Sequence, residues 1–402
     1  MRMLSAIGCL ILWSLPGRIP AASGGPARTP VAEKVVEAAD DPPSPKACPT
    51  GRRASAGIRA ELVRRAYAGD AGGKKEVPSM KYASTSPEKA LAWQKELRSK
   101  LAVLLKVDDL IARKTAIPFQ SKVISTVRRE KYVFQDLQIN STAGRRIQVA
   151  MAVPTGLKGP FPAVVCIAGH HGTRLTCYEE GSGYFRLAHV LAEKGYVTIS
   201  IRVSQHEVYE KDRTLMGERL WDLMRCLDLL ASLEEVDRQR IGCAGLSLGG
   251  EMAMWLGAMD ERVQAVVCAG FLTRMDQIER NHCMCWKFPG LREIADFSDI
   301  FSLIAPRALL CQNGLKEPQS QFPVSVAREA LRDIEAAYKD FGKPENLSFV
   351  AHDGGHVFDL PSLMTFIEER LGRCHSAGPG GLTVRPTWHK RYGIREVSFE
   401  RR

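Results

Sequence analysis

Residues 240–250 read Arg240-Ile241-Gly242-Cys243-Ala244-Gly245-Leu246-Ser247-Leu248-Gly249-Gly250. Gly245-Leu246-Ser247-Leu248-Gly249 within them matches G-x-S-x-G. Ile241–Ala244 is an apolar run of strand type, and Glu251–Leu256 reads as a helix directly after the motif. A serine on so sharp a strand-to-helix turn needs small neighbours, because the backbones pass closely there. The N-terminus of the following helix lowers the energy of negative charge developing beside the serine. The motif therefore stands in the context its chemistry requires, and Ser247 is the candidate nucleophile. The plainer alternative is an ordinary serine in a glycine-rich turn.

The sequence on either side sets the scaffold. Short, nearly continuous apolar runs occur at Ala163–Ala168, Tyr196–Ile201, Ile241–Gly245, Val263–Ala269, Ala308–Cys311 and Leu347–Ala351. Segments of helical length such as Phe185–Lys194 and Leu220–Leu233 lie between them. Apolar strands alternating with helices predict a mostly parallel sheet covered by helices on both faces. Upstream the period is two: Tyr132 and Phe134, then Ile147, Val149, Met151 and Val153, alternate with their neighbours. That pattern predicts an antiparallel N-terminal strand pair at the sheet edge. With the serine turn, these features describe the α/β-hydrolase fold over residues 119–372. The stretch 271–305 is the longest insertion between strands and is expected to form part of a lid or pocket wall.

A serine hydroxyl is a poor nucleophile without a neighbouring base. In this fold the order along the chain is serine, acid, histidine. His356 follows the last apolar run in Ala351-His352-Asp353-Gly354-Gly355-His356, where a glycine loop past a strand end carries the base toward the serine. His352 is the fallback, better suited by its position to a structural role. The acid belongs after the preceding strand. Glu317 is the only carboxylate between Asp299 and Glu329; Asp276, one strand earlier, is the alternative. The neighbouring Lys316 could compete for the Glu317 carboxylate. An oxyanion hole needs two N–H donors. One is expected from Leu248, the other from the backbone of His170 or His171 in Gly169-His170-His171-Gly172.

The chain has 402 residues and a formal charge of +11 from 56 basic and 45 acidic residues. That length and a 45% hydrophobic content suit a full-sized globular core. Arg2, the apolar run Leu4–Leu15 and the small residues around Ala21-Ala22-Ser23 read as a signal peptide over residues 1–23. An uncleaved anchor or a lipid on Cys9 are the competing readings. Residues 24–80 read as a flexible linker, and residues 81–118 as a helical extension opened by Ser86 at the N-cap and Pro87 at the first helical position. Its inward positions are expected at Leu91, Leu97, Leu101, Leu104 and Leu105. Residues 373–402 hold seven basic and two acidic residues, a solvated basic tail or a contact for polyanions. No nucleic-acid motif accompanies it.

There are eleven cysteines. Cys166, Cys243, Cys268 and Cys311 sit inside apolar runs as small hydrophobes. Cys283 and Cys285 form a C-x-C without a second half, weak grounds for a metal site, and a bridge from either to a distant cysteine would suit an exported protein. The adjacent His170 and His171 have no carboxylate cluster beside them. No metal and no cofactor is expected.

Residues 119–372 resemble the bacterial dienelactone-hydrolase-like and acetyl-xylan-esterase-like α/β-hydrolases. The resemblance rests on GHHG at 169–172, VDRQRIGCAGLSLGGEMAMW at 236–255, HCMCWKFPGL at 282–291, APRALLCQNG at 305–314 and DGGH at 353–356. It implies an exported enzyme acting on carboxylic esters, some of its relatives on acetylated polysaccharide. Two departures stand out. True dienelactone hydrolases carry cysteine where Ser247 stands, which turns the expectation away from lactones. Relatives commonly carry aspartate where Glu317 stands. The competing functions are a prolyl-oligopeptidase-like peptidase, for which the N-terminal segment is too short, and a non-catalytic binding protein on the same fold.

Overall fold

The computed structural model describes residues 77–180, 183–279 and 282–372. The expected signal peptide, almost all of the linker and the basic tail lie outside the described residues.

Each nearly continuous apolar run is a strand. β4 (Phe161–Ile167), β5 (Val197–Ile201), β6 (Val236–Leu246), β7 (Val263–Ala269), β8 (Ala308–Gly314) and β9 (Leu347–His352) run parallel. β1 (Lys122–Arg128), β2 (Tyr132–Asn140) and β3 (Arg146–Pro154) are antiparallel, and β3 joins β5 antiparallel. The sheet order is β1-β2-β3-β5-β4-β6-β7-β8-β9. The expected antiparallel pair is thus extended by a third strand. β1 (KVISTVR) is mostly exposed, so it buries too little apolar surface to leave a hydrophobic pattern, and backbone pairing along β2 holds it in place.

The longer helices are α1 (Pro87–Leu105), α2 (Leu187–Glu193), α3 (Leu215–Ser232), α4 (Leu248–Met259), α5 (Val324–Asp340) and α6 (Leu360–Leu371). Side chains alternate across a strand, and β4 displays this directly. Ala163, Val165 and Ile167 face one core, built with α3, α4 and α5. Val164 and Cys166 face a second core, built with α2 and α6. Both faces are covered, which is why these strands read as unbroken apolar runs.

α1 starts as its sequence predicts. Ser86 is the N-cap and its hydroxyl accepts from the Lys89 N–H at 3.4 Å, with Pro87 next. Its buried stripe is Ala90, Gln94, Leu97, Leu101 and Leu105, whereas Leu91 is 56% exposed. Leu91 lies one residue off the stripe. The position that faces inward there is Gln94, whose amide donates to the carbonyls of Ser302 (3.0 Å) and Ala305 (2.7 Å). A buried amide with two partners is tolerated, and no hydrophobicity count predicts it. Arg98 adds bonds to the carbonyls of Ala258 and Leu303, so α1 is tied to the segment just before β8.

Candidate active site

β6 ends at Leu246 and α4 begins at Leu248, so Ser247 is the single residue of the turn. Its backbone sits at φ 65° and ψ −127°, a conformation that a residue with a Cβ rarely adopts. The turn survives because its surroundings are crowded and pinned. A Cβ on Gly249 would come within 2.1 Å of the Ile167 carbonyl oxygen. The Ser247 N–H donates to the Ala269 carbonyl at 2.9 Å. Ser247 is also the N-cap of α4, but its side chain makes no capping bond, so the hydroxyl is not spent on the helix. The N–H groups of the first turn, Leu248 included, have no partner within the helix.

Ser247 opens into a cleft of about 310 Å³, whose lining includes His170, Tyr184, His282, Gln321 and His356. The cleft stands at the carboxyl ends of the parallel strands, where open α/β sheets bind ligands.

His356 and Glu317 arrive from the loops after β9 and β8. The His356 Nδ1 lies 2.9 Å from Glu317 Oε1 and 3.2 Å from Oε2. The Glu317 side chain is 1% exposed and that of His356 32%. An ionised carboxylate only accepts, so Nδ1 carries the proton and Nε2 is left as the basic nitrogen. Two backbone bonds lock the loops together: Leu315 N–H to the His352 carbonyl (2.8 Å) and Lys316 N–H to the Gly354 carbonyl (3.0 Å). Phe322 stacks on the imidazole, centroids 5.6 Å apart and planes 15° apart. The ring also packs on Gly270, where a Cβ would come 2.9 Å from Cε1.

The alternatives are occupied elsewhere. Asp276 pairs with Arg292. His352 is buried, and its Nδ1 accepts from the Gly354 N–H at 3.2 Å. Lys316 is exposed.

Close beside Ser247, Gly169 N–H donates to the Tyr184 hydroxyl at 2.6 Å, and Gly172 N–H closes a turn onto the Gly169 carbonyl. Burial pushes the Tyr184 phenol up to about 12, so at neutral pH it stays protonated. His171 adopts φ 62° and its side chain is exposed, while His170 lines the cleft. His282 was not singled out from the sequence. It lines the cleft from the 271–305 insertion and packs edge-on to Phe322, which fits that insertion as a pocket wall. Burial holds its imidazole below the usual histidine range.

The His170 side chain meets a further group. Its Nε2 lies 3.3 Å from Cys285 Sγ, and His206 Nε2 lies 3.4 Å from Cys283 Sγ. The His170 and His206 rings stack at 5.4 Å. One donor atom from each of the four lies within 4.8 Å of the others. All four side chains are partly buried, and both cysteines are unbridged. The hydrogen bond with Cys283 pulls the Cys285 thiol well below the usual range; burial opposes it, and His170 and His206 assist. The C-x-C that lacks a second half in the sequence acquires one from two other loops. The remaining described cysteines are also unbridged.

Against known proteins, the sequence model of the fungal glucuronyl esterase family matches residues 139–269. YtaP of Bacillus subtilis (strain 168), named provisionally as a hydrolase, is 25% identical over 270 residues, covering 60% of this chain and 87% of YtaP. Among solved structures, a Bacteroides fragilis NCTC 9343 protein named provisionally as an acetyl xylan esterase superposes with a TM-score of 0.56 at 19% identity, covering 75% of this chain and 83% of the other. A glucuronoyl esterase from Solibacter usitatus gives a TM-score of 0.55 at 15% identity, covering 75% and 99%. At these identities the superpositions establish the shared fold.

Proposed function

We propose that this chain, an α/β-hydrolase of the carboxylic-ester-hydrolase class, works as a serine esterase through Ser247, His356 and Glu317. One observation carries the reading. A buried carboxylate holds the Nδ1 of an imidazole at 2.9 Å in the same cleft as a serine on a left-handed turn.

In the first step the Ser247 hydroxyl attacks the ester carbonyl while His356 Nε2 takes its proton. Glu317 keeps the imidazole in the required tautomer and stabilises the imidazolium. The oxyanion is met by the Leu248 N–H at the start of α4 and by an N–H of the Gly169–Gly172 turn, from His170 or His171. The imidazolium returns its proton to the departing alcohol, leaving an acyl-serine. Water, activated by His356, then releases the acid and restores Ser247.

The cleft and the relatives support one substrate class. About 310 Å³ is near the small end of ligand pockets, room for one sugar unit with a short acyl group. Histidine, tyrosine and glutamine in the lining supply polar contacts for hydroxyls. With relatives named for acetyl xylan and glucuronoyl esters, this supports a carbohydrate ester as substrate. An exported enzyme agrees with the N-terminal sequence, and no described helix is long and apolar enough to cross a membrane.

The test is hydrolysis of p-nitrophenyl acetate and butyrate, then of acetylated xylo-oligosaccharides and methyl glucuronate, by wild type and Ser247→Ala. Acetate activity that disappears in the variant is expected. No hydrolysis by the wild type, with no fluorophosphonate labelling of Ser247, would sink the catalytic reading in favour of a binding protein.

A further inference from the structure

We propose that His170, His206, Cys283 and Cys285 form a tetrahedral zinc site beside the cleft. The ligand set is two thiols and two imidazoles, the donors of closed structural zinc sites. Hard cations such as calcium and magnesium take oxygen instead.

The geometry fits one ion. With zinc–sulfur bonds of about 2.3 Å and zinc–nitrogen bonds of about 2.0–2.1 Å, tetrahedral ligands stand roughly 3.3–3.8 Å apart. The two nitrogen–sulfur pairs are at 3.3 and 3.4 Å, and the whole set spans no more than 4.8 Å. The four atoms therefore converge on one point, and small side-chain adjustments close the shell.

Binding balances in charge. Each thiol gives up a proton, so zinc(II) plus two thiolates and two neutral imidazoles is neutral overall and two protons are released. A neutral complex suits a partly buried corner, where a lone charge would be costly.

The position gives the ion work to do. His170 lies in the loop after β4, His206 in the loop after β5, and the two cysteines in the insertion between β7 and β8. A closed shell leaves no open position for substrate, so the ion is a clamp. It joins the turn carrying the proposed oxyanion donor to the segment from which His282 lines the cleft.

The full-length protein, produced with zinc in the medium and dialysed against metal-free buffer, is analysed for metal by inductively coupled plasma mass spectrometry. One zinc per chain is expected. The double variant Cys283→Ser/Cys285→Ser and the single variant His206→Ala are expected to retain only traces, with circular dichroism reporting whether each is folded. Because a variant could fail to fold, the wild type carries a second readout. Metal-free, reduced wild type titrated with cobalt(II) chloride is expected to develop a thiolate-to-cobalt charge-transfer band in the near ultraviolet and the intense visible bands of tetrahedral cobalt, both abolished by added zinc. Three outcomes overturn the site: reduced wild type that takes up neither zinc nor cobalt, a folded cysteine double variant that keeps its zinc, or a Cys283–Cys285 disulfide in the protein as secreted.

Discussion

The two walls of the cleft are built by different rules. On one wall, Ser247, Glu317 and His356 sit each on its own loop, immediately past a strand end. The acid is buried, the imidazole packs against Phe322 and Gly270, and the pair satisfies itself by a charge-assisted hydrogen bond. Behind the other wall, to which His170 contributes, two histidines and two cysteines gather from three loops. Their ring nitrogens and thiols hydrogen-bond among themselves. On the first wall the acid and the imidazole pair with each other without any added group. The second is a set of convergent donors that an ion would complete. Pre-organisation on the first wall would serve the proposed chemistry; on the second, with an ion bound, it would hold a turn and an insertion at a fixed separation.

The contrast breaks most visibly at the proposed nucleophile. Ser247→Ala should lower kcat on the order of 10⁴- to 10⁶-fold, leaving the residual catalysis of the oxyanion donors. Steady-state kinetics with p-nitrophenyl acetate measures it, and a variant within tenfold of wild type would remove Ser247 from the mechanism. Next comes the buried acid. Glu317→Gln keeps the shape but can lock the wrong tautomer, and a loss of roughly 10³- to 10⁴-fold in kcat is expected. Glu317→Asp keeps the charge one methylene short, and about 10²-fold is the expected loss. Equal effects from both substitutions would mean that position, and not charge, governs this wall.

The second wall should respond more gently. His206→Ala removes a ligand of the proposed clamp without touching the relay, and kcat/KM should fall by about 10- to 100-fold through misplacement of the turn and the insertion. A loss as deep as that of Ser247→Ala would instead put this wall in the chemistry itself. Smallest of all, Ser86→Ala removes the cap of α1 and should lower stability by ~1 kcal/mol, read by urea denaturation, with activity per folded molecule unchanged. A change in activity would show that α1 supports the cleft as well as the sheet.

Much of this is legible in the sequence. The strained serine turn was visible because its needs are local: a strand, small neighbours and a helix within eleven or so residues. The parallel strands were legible because burial on both faces leaves unbroken apolar runs, and Ser86-Pro87 marked the start of α1 because capping acts within one turn. β1 was missed because an exposed edge strand is held by backbone bonds that leave no trace in side-chain pattern. Leu91 was misplaced because the inward position is filled by Gln94, whose burial depends on two carbonyls more than 200 residues away.

What the chain determined by itself, then, is the order of its elements and the residues whose surroundings are sequence neighbours, since those constraints act through hydrogen bonds and sterics over a few residues. What only the tertiary structure decided is which distant groups meet. It put Glu317 against His356 and left Asp276 with Arg292. It also gave the Cys283–Cys285 pair its two histidines, 115 residues away in sequence for His170 and Cys285 and 77 for His206 and Cys283. Sheet order sets those meetings, because it decides which loops share the carboxyl edge, and no local pattern along the chain records it.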